Sequence, residues 1–335
     1  MERPHRRIVT FALPIVLASL ALVGARASSP AVELAPGVFM RNLDPAANQS
    51  FIVFDTYVVV FDAGSVPEAR VLQREIEARI GKPVRYVINS HFHPDHSAGA
   101  AVFAAAGAEV VAAAAAKEAF DNWVVKDFAA KMKDRPAEYA GLSYAPPTRW
   151  IEKTWTLDDG VQRLEVIHYG PGHTAGDLIG WMPRQHILFA QDLSTNGQHN
   201  LANADLSGWI AVLEKLRALG ATQVVPGHKA LIGPEILDKS YRYLTELRSK
   251  VRDMVARGMT YDEIMKVIDI PMYEEWSGVS VRNEPTHVLR AYEEAGGKVD
   301  NGRPLITRRR LAALFGLGVL SLGSIGWLRL RGRRA

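Results

Sequence analysis

The sequence has 335 residues, of which 48% are hydrophobic and 23% are charged. This composition excludes a largely disordered or fibrous chain. Residues 1–27 carry four arginines and one acid, and residues 308–335 carry seven arginines and no acid. Subtracting these +3 and +7 from the net charge of +4 leaves −6 for residues 28–307, so we predict no nucleic-acid partner. The lack of cysteine excludes disulfides and thiolate metal ligands.

Residues 1–27 predict a secretory signal peptide. A basic start is followed by an apolar run, Ile8–Val23, and by the small-residue cleavage motif Ala25-Arg26-Ala27. The pair Arg6-Arg7 is compatible with twin-arginine export. An uncleaved N-terminal anchor is the alternative. We therefore expect an exported protein.

The first half of the remaining chain predicts strands interrupted by helices. Residues rich in β-branched and aromatic side chains indicate strands in 32–42, 49–64, 84–88 and 110–111. Helical spacing and Ala-rich composition indicate helices in 67–80 and 98–106. Residues 112–150 are different, because a helical run at 116–132 is followed by a stretch with three prolines. They are interpreted as an insertion, which either shapes the substrate site or is a surface excursion.

The second half predicts a similar succession of elements. Strands are expected in 148–157, 163–170, 179–184, 186–192 and 222–226, and a helix in 207–219. Residues 234–297 predict a helical extension, in which Thr260 and Glu263 form a capping box. This order predicts an α/β protein whose two similar halves surround paired sheets.

The end of the chain predicts a membrane segment. After a linker at 298–310, residues 311–328 form an uncharged stretch of 18 residues with arginines on both sides. That length just suffices for a transmembrane helix. Residues 329–335 would then be a cytoplasmic basic tail, and the domain at 31–297 would be periplasmic and anchored to the membrane. A processed sorting tail and a buried helix are the alternatives.

The segment NSHFHPDHSAG concentrates metal-binding groups. His91 and His93 point the same way if the backbone is extended, and Asp95 and His96 follow after Pro94 redirects the chain. Imidazole nitrogens and carboxylate oxygens suit first-row divalent metals. Four such side chains that point in two different directions suit two neighbouring metal ions better than one.

Three further polar residues follow later apolar runs. His173 lies in GPGHTAGD, Asp192 ends the strand HILFAQD, and His228 ends the strand TQVVPGH. Loops at strand ends are where a rigid scaffold carries its active site. Each of these residues taken alone is compatible with a structural role in a turn, but their joint occurrence predicts the remaining metal ligands.

The complete pattern resembles that of the metallo-β-lactamase-fold hydrolases, over residues 31–230. The resemblance implies a four-layer αββα sandwich, followed by C-terminal helices, with the site along one edge of two facing sheets. It also implies a full ligand set, in which the first metal is held by His91, His93 and His173, the second by Asp95, His96 and His228, and both by a bridging Asp192.

Within this family the resemblance favours the glyoxalase II-like branch. Metallo-β-lactamases of one branch use a cysteine at the second metal, and this chain has none. Those with the full HxHxDH motif lack the bridging aspartate, whereas Asp192 is present here. β-Lactams are therefore disfavoured as primary substrates. The basic positions that bind glutathione in glyoxalase II are not identifiable, so thioester specificity is not implied.

These patterns predict an exported, membrane-tethered hydrolase of thioester, ester or lactone bonds in a small molecule. Two divalent ions, zinc with iron or manganese as alternatives, would generate a bridging hydroxide. Asp95 would orient this nucleophile and pass a proton to the leaving group. Three alternatives stay open: a persulfide dioxygenase-like enzyme with one iron, a β-lactamase, and a non-catalytic periplasmic metal-binding accessory protein. No oligomeric state is predicted.

The remaining candidates have structural and functional interpretations. His168 and His186 are expected in strands, either packed or supporting a ligand, and His287 is expected at the surface. His199 is a candidate for facing the substrate. Asp62 either fixes a ligand histidine or caps a turn. Tryptophans that line a pocket or pack in the core are Trp123, Trp150, Trp209 and Trp276.

Overall fold

The computed structural model describes residues 30–197, 199–231, 233–297, 299–300 and 303–304. The predicted signal peptide, the predicted segment at 311–328 and the basic tail at 329–335 lie outside the described residues, as does most of the predicted linker at 298–310. None of the helices in the described part of the chain combines the length and apolarity that a bilayer crossing requires.

A seven-stranded sheet forms the first half of the domain, and its strand order follows the chain. Its strands are β1 (Val32–Ala35), β2 (Val38–Arg41), β3 (Gln49–Val53), β4 (Val58–Phe61), β5 (Val84–Ile88), β6 (Glu109–Ala113) and β7 (Arg149–Ile151). Pairs are antiparallel up to β4 and parallel from β4 to β7. Phe61 pairs with Ile88, so the residues after β4 and β5 leave the sheet at the same edge.

A five-stranded sheet forms the second half, in the order β12-β11-β10-β9-β8. Its strands are β8 (Thr154–Asp158), β9 (Arg163–Ile167), β10 (Ile179–Met182), β11 (Ile187–Gln191) and β12 (Gln223–Pro226). Only β11 and β12 are parallel, with Phe189 beside Val225, so Asp192 and His228 leave this sheet at one edge. A two-stranded pair, β13 (Val299–Asp300) and β14 (Arg303–Pro304), follows the helices.

The two sheets pack face to face over an apolar core. Residues of both sheets share one buried cluster, in which the rings of Phe61 and Phe189 stack with centroids 5.6 Å apart. The central strands β4 and β11 are buried at every position and are largely apolar runs, whereas the edge strand β8 leaves alternate residues exposed.

Helices cover the outer face of each sheet, which completes the αββα sandwich and confirms the predicted fold. On the first sheet lie α1 (Val66–Arg79), α2 (Pro94–Ser97), α3 (Ala100–Ala105), α4 (Lys117–Ala119) and α5 (Val125–Asp134), with a π-helical turn at Phe120–Val124. On the second lie α6 (Leu206–Ala218), α7 (Glu235–Ala256), α8 (Tyr261–Val267), α9 (Pro271–Ser277) and α10 (Pro285–Glu294). Short 3₁₀ turns occur at Ala114–Ala116 and Val281–Asn283.

Two predicted elements differ in the structure. The strand expected at 148–157 is two strands, because β7 closes the first sheet and β8 opens the second, with Glu152 and Lys153 crossing between them. The segment at 112–150 connects β6 to β7 and buries Phe128, Tyr139 and Leu142 against the first half of the domain. The segment is therefore packed against the domain through a few apolar side chains, while residues 133–138 are exposed, and a role in shaping the substrate site stays a prediction.

Candidate metal centre

The ends of β4, β5, β11 and β12 converge on one edge of the sandwich. Sharp backbone turns occur there, because Asp62, Gln191 and Lys229 adopt φ values of 56°, 48° and 67°. Such left-handed conformations are unfavourable for residues other than glycine and are concentrated at functional sites. Gly227 is required for this convergence, since a Cβ at that position would lie 1.7 Å from Asp192 Oδ1.

The first ligand group comprises His91, His93, His173 and Asp192, whose metal-binding atoms lie within 4.8 Å of one another. His93 Nδ1 is 3.0 Å from His91 Nε2 and 3.1 Å from His173 Nε2. Asp192 Oδ2 is 3.4 Å from His173 Nε2 and 3.8 Å from His91 Nε2. Four ligand atoms therefore face a common point.

The second ligand group comprises Asp95, His96 and His228. His228 Nε2 lies 3.3 Å from His96 Nε2 and 3.4 Å from Asp95 Oδ2. Asp192 also faces this group, but with its other oxygen: Oδ1 is 3.3 Å from His96 Nε2 and 3.6 Å from His228 Nε2. The two carboxylate oxygens of Asp192 are thus directed at different groups.

Each of the five histidines has a polar partner on the ring nitrogen that faces away from the centre. These outer contacts are His91 Nδ1 to Ser90 Oγ at 2.9 Å, His93 Nε2 to Asn203 Oδ1 at 3.0 Å, His96 Nδ1 to Asp62 Oδ2 at 2.7 Å, His173 Nδ1 to the Asn200 carbonyl at 2.9 Å, and His228 Nδ1 to the Pro45 carbonyl at 3.1 Å. Such partners fix the tautomer and the orientation of a metal-binding imidazole.

The charges of the metal-free centre are strongly coupled. Burial lowers the pKa of His173 to about 3. Burial alone would also lower the pKa of His96, but the carboxylates of Asp192, Asp62 and Asp95 outweigh it and raise that pKa well above its usual range. Since metal binding requires neutral imidazoles, a proton on His96 must leave when metal binds. We therefore expect metal affinity to fall with decreasing pH.

A cavity of about 420 Å³ opens beside the ligands. Besides His93, Asp95, Asp192 and His228, polar residues from the second half of the chain line it: Thr195, His199, Asn200, Glu284 and Thr286. Asp95 is 49% exposed, and His96 Nε2, with His228, keeps the pKa of its carboxyl well below the usual range despite partial burial. An ionised carboxylate therefore borders the space where a substrate would lie.

The donor set fits divalent metal ions. It consists of five imidazoles and two carboxylates, which are ligands of borderline metals such as zinc. Asp192 Oδ1 is buried, and in the described part of the chain it accepts no well-formed hydrogen bond. A buried carboxylate oxygen without such a bond is costly unless a cation satisfies it. The structure thus brings the seven residues together, and their binding of metal stays a prediction.

Several other predicted residues are placed differently from expectation. His186 is exposed in the turn between β10 and β11, where its φ is 55°, so the prediction that it lies in a strand was wrong. His287 is fully buried, so the surface prediction was also wrong.

His168 follows β9, and its Nδ1 lies 3.0 Å from the Asp177 carbonyl. His199 is buried and lines the cavity. Asp62 bonds Ser90 and His96, as a ligand-supporting residue would.

The four tryptophans divide between core and site. Trp209 is buried beneath His173, with ring centroids 5.5 Å apart, whereas Trp123 is 45% exposed and lies 6.3 Å from the ring of His93. Trp276 packs against His199 at 5.3 Å. Trp150 is half-buried and lies 6.0 Å from the ring of Phe120.

Four supporting residues were not singled out from the sequence: Ser90, Asp177, Asn200 and Asn203. Ser90 is adjacent to His91, which is a local signal that could have identified it. Asp177 accepts hydrogen bonds from the backbone and hydroxyl of Thr174 and so braces the turn that carries His173. The two asparagines act over 27 and 110 residues, and no local pattern encodes such a separation.

The chain is similar to known proteins of one superfamily. Residues 44–228 match the model of the metallo-beta-lactamase superfamily. A linear primary-alkylsulfatase from Pseudomonas sp. (strain ATCC 19151) is 23% identical over 311 residues, which is 77% of this chain and 59% of that protein. A metallo-beta-lactamase type 2 from Bacteroides fragilis is 27% identical over 128 residues, which is 36% of this chain and 51% of that protein.

This chain thus spans about half to three fifths of the length of these two curated relatives. The solved structure of a metallo-beta-lactamase from Pontibacter korlensis has the same fold, with a TM-score of 0.52, 20% identity, and coverage of 64% of this chain and 98% of that one. Because the family model covers more than half of the sequence, including all seven candidate ligands, the chain belongs to the metallo-beta-lactamase superfamily.

Proposed function

We propose that this protein is a hydrolase that uses two divalent metal ions, most simply zinc. The observation that carries this proposal is the position of Asp192 between two ligand groups. Its Oδ2 faces His91 and His173, and its Oδ1 faces His96 and His228. A carboxylate with one oxygen toward each group is an arrangement in which it could serve as a ligand shared by both.

Two such ions, when bound, lower the pKa of coordinated water and polarise the scissile bond. The chain supplies the rest of the chemistry. Asp95 borders the cavity beside His96 and His228, and with the ions bound its carboxylate would orient the attacking water and pass a proton to the leaving group. Thr195 and Thr286 line the same cavity and provide hydroxyls that bind polar groups of the substrate.

The substrate class that we propose is a small molecule with a thioester, ester or lactone bond. A sulfate ester is a second candidate, and a specific observation favours it. The match to the alkylsulfatase extends over 77% of this chain, whereas the match to the metallo-beta-lactamase type 2 extends over 36%. The similarity to the alkylsulfatase therefore extends beyond the strands that carry the candidate ligands.

The test combines metal analysis with a substrate panel. We expect the purified protein to bind two equivalents of zinc and to hydrolyse one member of a panel of thioester, ester, lactone, β-lactam and primary alkyl sulfate substrates. One equivalent of iron together with oxygen uptake would instead indicate the persulfide dioxygenase alternative. Stoichiometric metal without turnover of any panel member would contradict the hydrolase proposal and favour an accessory protein.

We further propose that the protein is exported and tethered to the membrane through residues 311–328. The support is the sequence pattern at the two ends of the chain. Fractionation of cells that express the full chain should recover it with membranes, and a variant that ends at residue 310 should be released into the soluble periplasmic fraction. Recovery of both forms in the cytoplasm would contradict export.

A further inference from the structure

The loop between β11 and α6 supports the first ligand group; it is described at residues 193–197 and 199–205 and is called the 193–205 loop below. The Asn200 carbonyl lies 2.9 Å from His173 Nδ1, and Asn203 Oδ1 lies 3.0 Å from His93 Nε2. Two of the three histidines in that group therefore depend on this one loop for their outer contacts. The outer contacts of the second group come instead from Asp62 and Pro45, in the first half of the chain.

The 193–205 loop is itself fixed by side chains of α10. His287 is buried, and its Nε2 lies 2.6 Å from the His199 carbonyl. The guanidinium of Arg290 donates from Nε to the carbonyls of Leu201 and Ala202, at 3.3 and 3.1 Å, and a second nitrogen also donates to the Ala202 carbonyl. Peptide carbonyls outside helices and sheets need such donors, and α10 supplies them at three positions on the two sides of Asn200.

The side chains of His287 and Arg290 are themselves oriented by hydrogen bonds to neighbouring side chains. The Tyr243 hydroxyl is 2.5 Å from His287 Nδ1, so the imidazole accepts at Nδ1 and donates at Nε2 to the loop. Glu293 accepts a hydrogen bond from Arg290 at 2.7 Å. Just after the loop, the carboxylate of Glu294 accepts from the backbone and hydroxyl of Ser207, at 3.1 and 2.6 Å. Side chains of α10 whose own positions are fixed by hydrogen bonds thus restrain the 193–205 loop at several points.

We infer that α10 is a positioning element for the metal centre, and that His287 and Arg290 act through the 193–205 loop to orient His93 and His173. This inference rests on the proposed function, in that the two ligand groups bind metal. It assigns to the C-terminal helices control over the metal affinity of the first ligand group. The second group, which has no outer contact with this loop among the described residues, keeps its affinity when α10 is altered.

The test is a zinc titration of the metal-free, full-length protein in competition with a chromophoric chelator. Arg290→Met removes the guanidinium donors but keeps most of the apolar stem, and Asn203→Ala removes the exposed acceptor of His93. Each variant should weaken one of the two zinc equivalents by about 10- to 100-fold, the usual cost of losing an outer partner. The other equivalent should keep its wild-type affinity. Arg290→Lys, which retains the charge and a single donor nitrogen, should lie between Arg290→Met and wild type.

A matched control is Arg252→Met on α7. Arg252 is 62% exposed and pairs with Asp253, so this variant removes the same charge from the C-terminal helices and should leave both zinc equivalents unchanged. A double variant provides a second readout. Because Arg290 and Asn203 act on the same loop, the combined variant should weaken zinc binding by less than the product of the two single effects.

Two results would overturn the inference. One is that Arg290→Met and Arg290→Lys bind both equivalents as tightly as wild type. The other is that Arg290→Met and Asn203→Ala have independent, multiplicative effects. If Arg290→Met does not fold, Arg290→Lys and Asn203→Ala still decide between these results. The readout requires no substrate, so a protein that hydrolyses nothing but shows the expected zinc pattern contradicts the proposed function and not this inference.

Discussion

The two ligand groups differ in how the fold encloses and supports them. In the first group His91 and His173 are 1% exposed and His93 is half-buried, whereas in the second group His96 is buried but Asp95 is 49% and His228 is 25% exposed. The histidines of the second group receive their outer contacts from Asp62 and Pro45, in turns of the first half of the chain. The first group relies in part on the 193–205 loop, which side chains of the C-terminal helices hold in place. One edge of a common sandwich thus supports two neighbouring ligand groups partly through different elements of the fold.

The largest expected effect is that of Asp192→Asn, since Asp192 is the residue that joins the two groups. The amide is close in shape but lacks the charge that both groups share. We expect both zinc equivalents to weaken, by more than the about 100-fold that the loss of an outer partner costs, and turnover to fall to background. The measurement is zinc stoichiometry together with hydrolysis of the active panel member.

The control for this variant is Asp253→Asn, because Asp253 is 61% exposed on α7 and lies outside the centre. Full activity of Asp192→Asn with two tightly bound zinc ions would show that Asp192 is not a shared ligand.

Asp62→Asn should have the next largest effect, and unlike α10 variants it should reach both groups. Asp62 lies 2.7 Å from His96 Nδ1 and 2.7 Å from Ser90 Oγ, and the Ser90 hydroxyl lies 2.9 Å from His91 Nδ1. We expect about a 10- to 100-fold loss of zinc affinity at each equivalent. A zinc titration in which only one equivalent changes would show that Ser90 does not couple Asp62 to His91.

Trp123→Ala should have a smaller effect, confined to substrates with a long apolar group. Trp123 is exposed beside Phe92 and His93, next to the first group, with the Phe92 ring 5.3 Å away. We expect kcat/KM to fall about tenfold for a long-chain substrate and to change little for a short-chain one, as for the loss of an apolar contact. Val161→Ala, at a residue that is 71% exposed, is the control. Equal effects on both substrates would contradict a contact between Trp123 and the substrate chain.

The smallest expected effect concerns the pH dependence of stability. Burial lowers the pKa of His287 to about 3, so its stabilising contribution is complete above the unfolded pKa of 6.5 and is lost as the pH falls toward 3. In urea unfolding of the metal-free protein between pH 6 and 4.5, His287→Gln should reduce the pH slope of the unfolding free energy by up to about 1.4 kcal/mol per pH unit. An unchanged slope would mean that His287 is protonated in the folded protein.

Much of the fold was predictable because the signals that define its elements are local. Continuous apolar runs identified the strands, and the capping box at Thr260 marks the first turn of α8 as expected. The division of residues 148–157 between two sheets was not predictable. The apolar character of the chain is similar on both sides of Lys153, and only the pairing of each strand with distant partners separates β7 from β8.

The sequence by itself singled out the seven residues, since the HxHxDH segment and the polar residues that follow three later apolar runs are visible in the one-dimensional pattern. Only the tertiary structure decided which nitrogen of each imidazole faces the centre, and that Asp192 directs one oxygen at each group. It also decided that His287 is buried and that Arg290 contacts a carbonyl 88 residues away. These features depend on packing between elements far apart in the chain, and no local periodicity carries that information.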